Sequence, residues 1–256
     1  MIKNYSTNNL MAESISGSDG FFKGIGLSQS ELVRIRQIIR DKWVSTLISA
    51  RPDCERLFQG TQVSDYHKVA DLVDHAAIWV KTSRVFSLQE VTEISGMSLF
   101  HELRKIFGPL QVIDIGGVGY PEIYWRLVRP GKSSDVAGTH TDAWFWEYTN
   151  GIPPEAQNGI IKVWIAIDLI PGTSGLSLVP GSHLKEWPHH AEMRHGMLKP
   201  VLDIEEATLN QVCVDTLPGE AIVFHRRLLH KGISHEGDSC RTSIELAIQL
   251  ISKTDP

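Results

Sequence analysis

The 256-residue sequence has little cysteine and no long apolar run, and both absences narrow the possible function classes. Three cysteines are present, Cys54, Cys213 and Cys240, and an odd number without a Cys-x-x-Cys spacing predicts neither a disulfide framework nor a cysteine zinc site. No apolar stretch approaches the roughly 18 to 20 residues of a membrane span. The polar segment 1–20 also lacks the basic and apolar regions of a secretory signal. We therefore expect a cytoplasmic protein with reduced thiols.

An excess of positive charge is also missing. The chain has 25 Lys and Arg against 30 Asp and Glu, a formal net charge of -5, and its longest basic run is Arg226-Arg227. Without a basic patch there is no electrostatic footprint for nucleic acid or for an anionic membrane. The expected partner is a small-molecule substrate, and the oligomeric state stays open.

The amino-acid composition and the spacing of apolar residues change along the chain. Segment 1–20 is rich in Ser, Asn and Gly, which predicts a flexible N-terminal arm because it can bury little apolar surface. No linker or repeat divides the rest, so 21–256 is expected to form a single domain. Apolar residues at three- and four-residue spacing predict a helical part over 28–108. Its helices are predicted at 28–50, 63–82 and 98–107.

The second half reads as short strands. From residue 111, β-branched and aromatic runs alternate with turn residues, which is typical of a sandwich or barrel. Eight strands are predicted within the core 111–251, at 111–115, 122–128, 160–170, 176–179, 211–216, 221–224, 228–235 and 241–251. The fold class expected is therefore mainly β with flanking helices.

Two of these strands, 161–169 and 241–250, have one wholly apolar face and one mixed face. The mixed faces consist of Lys162, Trp164, Ala166 and Asp168 in one strand and Arg241, Ser243, Glu245, Ala247 and Gln249 in the other. Since strand side chains alternate, the apolar faces are expected beneath the N-terminal helices and the mixed faces inside a barrel. That interior would form a functional pocket.

The segment His140-Thr141-Asp142 follows a polar, Gly-containing loop and carries the first candidate metal ligands. An imidazole and a carboxylate two positions apart in extended chain point the same way and can reach one ion. His230 can complete a two-histidine, one-carboxylate triad, which binds one face of Fe(II) and leaves open positions. Taken singly, His230 could equally be a packed core histidine.

Arg241 follows on the last long strand and offers a planar guanidinium suited to gripping a carboxylate in two places. Ser243 lies on the same face and can add a hydroxyl donor. A surface ion pair is the alternative for Arg241 alone. The order of the four residues on predicted strands favours a joint site.

Other histidines compete for the metal role. His190-Ala191-Glu192, with His189 and His195 nearby, repeats the His-x-acid pattern, but its polar surroundings at 188–200 predict a solvated loop. His183 lies in a Pro-Gly-Ser-His turn, which predicts a structural corner.

Taken together, these segments resemble the phytanoyl-CoA dioxygenase family of Fe(II)/2-oxoglutarate oxygenases over roughly 124–248. The resemblance rests on His140-Thr141-Asp142, on the strand 163–168, on the Leu-Val-Pro-Gly-Ser-His segment 178–183, on Pro218-Gly219-Glu220 and on the interval from His230 to Arg241. The segment 178–183 close after the Trp-Ile-Ala-Ile-Asp strand is the most family-specific element. The resemblance implies a double-stranded β-helix, a cupin-like jelly roll, with an N-terminal helical region.

The same resemblance implies the ligand roles. His140, Asp142 and His230 would bind iron, and Arg241 would hold the distal carboxylate of 2-oxoglutarate, with O2 as the second co-substrate. The intact carboxylate of Asp142 favours hydroxylation or another oxidation over halogenation, with release of succinate and CO2.

The resemblance to the family also implies roles for further residues, for which the match is less direct. Trp164 matches a family tryptophan beside the co-substrate, with a structural role as the alternative, and Arg126 lies where the family often has a co-substrate or substrate contact, with a surface arginine as the alternative. The family often has a hydroxyl residue two places after the distal histidine, where this chain has Gly232. We therefore expect Ser243 to supply that hydroxyl.

The substrate is predicted to be a small anionic or zwitterionic metabolite oxidised at an unactivated carbon. Its expected contacts are Tyr124, Trp144, Phe145 and Arg227, because arginines match carboxylate or phosphate and aromatics cover an apolar portion. Three alternatives stay open: a non-catalytic cupin-type binding module, a cupin metalloenzyme that does not use 2-oxoglutarate, and a hydroxylase of a partner protein.

Overall fold

The computed structural model describes residues 7–194, 196–234 and 237–251. Within these ranges the α-helices are α1 (Thr7–Ser16), α2 (Gln29–Ala50), α3 (Glu55–Gly60), α4 (His75–Ile78), α5 (Lys81–Arg84), α6 (Leu88–Ser95), α7 (Ser98–Phe107) and α8 (Asp142–Asn150). The strands are β1 (Phe21–Gly26), β2 (Leu110–Val112), β3 (Ile123–Val128), β4 (Ile160–Asp168), β5 (Gly175–Leu178), β6 (His189–Arg194), β7 (Met197–Leu202), β8 (Val212–Cys213), β9 (Glu220–His225), β10 (His230–Ile233) and β11 (Arg241–Leu250).

The strands form two sheets that enclose the barrel interior, plus a separate hairpin. The larger sheet has the order β1-β9-β4-β11-β2, with β3 also paired to β11, and the smaller one has the order β10-β5-β8. All pairings are antiparallel. Trp164 and Phe224 of the larger sheet pack with Leu176 and Leu178 of the smaller one. This is the predicted jelly roll.

Helix α2 covers the outer face of the larger sheet. Its apolar stripe, which includes Ile35, Ile39 and Trp43, joins one buried cluster with Val163 of β4 and Leu246 of β11. The opposite faces of β4 and β11 turn inward, as the alternation predicts. Asp168, at the end of β4, is an exception, because it forms an ion pair with Arg36 of α2 where the pairing with β11 shifts its register. The sheet therefore separates an apolar outer core from a polar interior.

Several parts of the chain differ from the sequence-based expectations. The predicted helix 63–82 is broken into two 3-10 helices, Val63–Lys68 and Ala70–Leu72, followed by α4 and α5. The predicted loop 188–200 contains the β6–β7 hairpin. Strand β1 and helix α6 were not predicted, and Ile15 of α1 is buried in the core, so residues 7–20 are docked rather than forming a loose arm.

No helix in the described part of the chain is long and apolar enough to cross a membrane. The three cysteines are free, and Cys240 alone among them is buried.

Candidate active site

The backbones of His140 and His230 are locked to each other. They form an isolated antiparallel bridge between the loop before α8 and the first residue of β10. The amide nitrogen of His140 donates to the carbonyl oxygen of His230 at 3.1 Å, and the reverse bond measures 2.9 Å. The ring centroids are 4.5 Å apart. An exchanged pair of this kind fixes the spacing of two residues directly opposite each other.

Each of these rings is also fixed in its tautomer. The Nδ1 atom of His140 lies 2.7 Å from the carbonyl oxygen of Gly138, and that of His230 lies 2.9 Å from the carbonyl oxygen of Leu228. A carbonyl only accepts, so both Nδ1 atoms carry the proton and both Nε2 atoms present a lone pair. Burial, together with the nearby ring of His230, lowers the pKa of His140 to about 3. Neutral imidazoles oriented in this way are typical metal ligands.

Asp142 begins helix α8 beside these lone pairs. Thr141 is extended, with φ -113° and ψ 149°, and its side chain caps the helix by accepting from the amide of Trp144. The carboxylate of Asp142 is buried, and its Oδ2 atom lies 3.6 Å from Nε2 of His230. Its Oδ2 also has no hydrogen-bond partner among the described residues. The structure therefore places Asp142 next to His230, whose ring lies against that of His140.

A partly buried ionic network adjoins the triad. It contains Tyr124 and Arg126, which were predicted as site residues, together with Lys162 and Glu245, which were not. The ammonium of Lys162 lies 3.2 Å from Oδ1 of Asp142 and 3.4 Å from Oε2 of Glu245, and it donates to the hydroxyl of Tyr124 at 2.9 Å. Tyr124 in turn donates to Glu245 at 2.8 Å. The Nε atom of Arg126 lies 3.4 Å from the other carboxylate oxygen of Glu245.

Burial disfavours both charged partners at the centre of this network. The neighbouring carboxylates nevertheless hold the pKa of Lys162 above its usual value, and Arg126 and Lys162 hold the pKa of Glu245 well below its usual value. Both groups are therefore ionised. The alternation of β4 and β11 had placed Lys162 and Glu245 on the interior faces, which was the available signal for them.

Arg241 lies at the other end of the interior face of β11. Its side chain is buried, its Nη1 atom donates to the carbonyl oxygen of Gly175 at 2.6 Å, and its guanidinium carbon lies 5.9 Å from the ring centroid of Trp164. Burial lowers the pKa of Arg241 to about 10. A Cβ atom at Gly232 would lie 2.9 Å from Nη2 of Arg241, so the guanidinium occupies the space where the family often has a hydroxyl residue. Ser243 lies two positions along the same face.

Three buried polar atoms in this region lack partners within the described ranges: Oδ2 of Asp142, Nε of Arg241 and the hydroxyl of Ser243. Unpaired buried polar atoms are rare and call for an explanation. No group of three or more His, Cys, Asp or Glu residues in the described chain is arranged to hold a metal as it stands. The two free Nε2 lone pairs and the free carboxylate oxygen are nonetheless the donor set that Fe(II) uses, and the unpaired guanidinium and hydroxyl fit a carboxylate.

The aromatic residues after Asp142 divide between two environments. The ring of Phe145 meets that of His140 edge-on, with centroids 4.6 Å apart, so Phe145 lies beside a candidate metal ligand. Trp144 stacks on His189 of β6 at 4.0 Å and packs with Val179 and other residues under the hairpin. Trp144 therefore packs against the hairpin, and its predicted role as a substrate contact stays a prediction.

The remaining predicted contacts lie outside the site. Arg227 forms an ion pair with the exposed Glu186, so its expected role as a substrate contact is not supported by its position. His183 is buried against the ring of His225, in the corner predicted for it. His190 is exposed on β6 and contacts Asp203. His195 lies outside the described residues.

Comparison with known proteins gives the family. The sequence matches the phytanoyl-CoA dioxygenase (PhyH) family over residues 26–243, so the chain belongs to that family and is a non-heme iron, 2-oxoglutarate-dependent oxygenase. No curated protein gives a significant match.

Solved structures share the fold at low identity. The apo form of ThoJ, a non-heme monooxygenase, is 18% identical with a TM-score of 0.57, covering 94% of this chain and 77% of that chain. SnoK, a non-heme alpha ketoglutarate dependent carbocyclase from nogalamycin biosynthesis, is 15% identical with a TM-score of 0.55, covering 96% and 85%. EctD from S. alaskensis, with 2-oxoglutarate and 5-hydroxyectoine, is 11% identical with a TM-score of 0.55, covering 98% and 79%.

Proposed function

We propose that this protein hydroxylates, or otherwise oxidises, an unactivated carbon of a small anionic or zwitterionic metabolite, using Fe(II), 2-oxoglutarate and O2. The observation that carries the proposal is the pair of imidazoles with Nδ1 tied to backbone carbonyls and Nε2 free, beside a buried carboxylate oxygen without a partner. In the overall hydroxylation, one atom of O2 enters succinate and the other enters the product, while CO2 leaves 2-oxoglutarate.

The residues have distinct tasks in this scheme. The Nε2 atoms of His140 and His230 and the Oδ2 atom of Asp142 would hold the iron. Arg241 and Ser243 would hold the distal carboxylate of 2-oxoglutarate by charge-assisted hydrogen bonds. When bound, iron and 2-oxoglutarate supply the activation of O2 and the oxidation of a C–H bond.

The chain itself supplies orientation and a dry environment. Trp164 and Phe224 line the interior from the larger sheet, and both are buried. Phe145 lies against His140 and shields that side of the ring. Excluding water strengthens the electrostatic contacts at Arg241 and limits side reactions. The carboxylate at Asp142 leaves no space for a halide ligand, which favours hydroxylation.

The metal assignment is tested by His140→Ala, Asp142→Ala and His230→Ala. Each variant should lose iron binding and 2-oxoglutarate-dependent succinate formation, because each removes one of three ligands, while circular dichroism shows a folded protein. Iron content is measured after anaerobic loading and succinate by chromatography. The matched control is His190→Ala, which removes an exposed histidine from the hairpin and should keep both properties. Near-normal succinate formation in any ligand variant contradicts the assignment.

The anionic character of the substrate is supported by cations near Tyr124 and Glu245. Arg126 exposes 39% of its side chain, and Arg84 of α5 lies over the ring of Trp79 at 5.6 Å. Burial, and then the charge of Arg126, lowers the pKa of Arg84. Burial and the charges of Arg126, Arg194 and Arg84 lower the pKa of Lys199. Cations from four elements, α5, β3, β6 and β7, thus repel one another, and a bound anionic group would relieve this repulsion.

A substrate panel tests this part separately. Small carboxylated or phosphorylated metabolites should stimulate succinate release above the uncoupled background, and Arg84→Met and Lys199→Met should raise KM by about tenfold or more with a smaller change in kcat. Arg227→Met, which removes a cation outside the site, serves as the control. Stimulation by acyl-CoA esters, neutral lipids or polypeptides alone would contradict the substrate class and leave the oxygenase assignment intact.

A further inference from the structure

The ammonium of Lys162 lies inside the barrel, on the carboxylate that the proposed iron site uses. Lys162 is 3% exposed, and its three N–H groups have three acceptors: Oδ1 of Asp142, Oε2 of Glu245 and the hydroxyl of Tyr124. Lysine is almost never fully buried unless it is paired, because removing its charge from water is costly. A lysine in this position therefore needs a reason beyond packing.

The two oxygens of Asp142 are not equivalent in this arrangement. Oδ1 faces the ammonium at 3.2 Å, whereas Oδ2 is buried without a partner and lies 3.6 Å from Nε2 of His230. Lys162 is also the one side chain, among the described residues, that makes a polar contact with Oδ1. The orientation of the carboxylate therefore depends on Lys162.

The negative charge of Glu245 does not explain why a buried lysine is present at position 162. Glu245 already accepts from Tyr124 at 2.8 Å and lies 3.4 Å from the guanidinium of Arg126. Asp142 has no comparable second cation in the described chain. The ammonium is therefore the counter-charge of Asp142 before a metal arrives.

We propose that Lys162 is a positioning residue for the metal-binding carboxylate: it holds Oδ1 of Asp142, so that Oδ2 alone binds the metal and the carboxylate binds it less tightly than a free one would. This inference rests on the proposed function. Its physical basis is that ammonium and divalent ion share one carboxylate, and like charges a few ångströms apart repel strongly in a low-dielectric interior. A carboxylate that binds through one oxygen also leaves one more coordination position for the co-substrates.

The test is a Mn(II) titration of the full-length, metal-free protein, followed by loss of the free-ion EPR signal. Lys162→Met keeps the length of the side chain and removes its charge, so its dissociation constant for Mn(II) should fall by about tenfold or more. Lys162→Arg keeps the charge and should stay close to the wild-type value. The matched control is Lys81→Met, which removes an ammonium 3.6 Å from another buried carboxylate, Glu122, and should leave Mn(II) affinity unchanged.

A crystal structure of Mn(II)-loaded Lys162→Met adds a geometric readout. Both oxygens of Asp142 should bind the ion in the variant, and Oδ2 alone in the wild type. If Lys162→Met does not fold without metal, Mn(II) added during refolding should restore the fold, because the ion replaces the lost positive charge.

Each contrary outcome has a separate meaning. A wild-type protein that binds no Mn(II) overturns the proposed function. A wild type that binds Mn(II), with a Lys162→Met variant that binds it no more tightly or that fails to refold with Mn(II), overturns the role of Lys162 alone.

Discussion

The guanidinium of Arg241 is buried, yet one of its donors has no partner among the described residues. Arg241→Leu should therefore weaken 2-oxoglutarate binding by about 2 to 5 kcal/mol, since the co-substrate carboxylate would lose its charged partner inside the barrel. Anaerobic titration of the iron-loaded protein measures this, and iron binding itself should persist. Arg227→Leu, which removes a surface ion pair, should leave the affinity unchanged. An unaltered affinity of Arg241→Leu for 2-oxoglutarate would contradict this role and make Arg126 the next candidate for binding the distal carboxylate.

At the same scale, the sequence predicted residues that belong to motifs and missed those that do not. The spacing within 140–142, the order of His230 and Arg241 after it, and the resemblance to the family together selected the candidate triad and the candidate clamp. Lys162 and Glu245 belong to no sequence motif. Strand alternation places each on an interior face, but only the pairing of β4 with β11 brings the two side chains together. The sequence did not show that Trp144 packs against the β6–β7 hairpin. Because α8 begins at Asp142, Phe145, three positions on, shares the face of Asp142, whereas Trp144, two positions on, lies on another side.

Helices α2 and α7 share one carboxylate at their starts. Glu31 forms a capping box with Ser28 and also accepts from the backbone amide of Ser98 at 2.7 Å, while the N-cap of α7, Met97, makes no side-chain cap. Despite the opposing effect of burial, these bonds to Ser98 and Ser28 lower the pKa of Glu31 from 4.5 to about 2. A single side chain thus fixes how two helices enter the core.

Glu31→Gln should therefore lower the free energy of unfolding by about 1 to 2 kcal/mol at neutral pH. Because the folded pKa is depressed, the stabilisation is present above pH 4.5 and is lost as the pH falls toward about 2. Urea unfolding should be measured at pH 7 and between pH 4.5 and about 2. As the pH falls through this range, the free energy of unfolding of the wild type should approach that of the variant. Glu90→Gln, which affects the capping box of α6 alone, should cost less at pH 7. Equal losses in the two variants would contradict the double role of Glu31.

Among the elements, buried strands were predicted well, and exposed or broken segments were not. The positions of β3, β4, β5 and β11 agree with the sequence because their apolar runs are buried. In 63–82 the apolar spacing is real, but the chain turns through 3-10 helices, and Asp74 caps a new helix by accepting from the amides of Ala76 and Ala77. The β6–β7 hairpin is largely exposed, so no burial pattern marked it.

In the molecule as a whole, the main apolar core and the candidate active site lie on opposite faces of the larger sheet. The outer core, which includes Trp43 and Trp125, contains none of the proposed ligands. The cations proposed to face the substrate, Arg84, Arg126 and Lys199, come from α5, β3 and β7, which are far apart in the sequence. No single segment of the sequence indicates that these three residues belong to one site. The fold class, in contrast, could be predicted from the local patterns taken together.

Metal removal should accordingly leave the fold intact. Treating the Mn(II)-loaded protein with a chelator should preserve the far-ultraviolet circular dichroism spectrum and lower Tm only by the amount that ligand linkage requires, because the core does not depend on the ion. Small zinc domains behave in the opposite way, since their folding energy comes from the metal. Loss of β-sheet signal on chelation would show that the metal organises the barrel.

The bridge between His140 and His230 has a consequence for the order of events during synthesis. Since two backbone hydrogen bonds already set these residues opposite each other, the chain can finish folding before it meets iron. Metal delivery is then a late and reversible step on a finished scaffold. We therefore expect metal-free protein to keep its fold, so that iron added later restores activity without new synthesis.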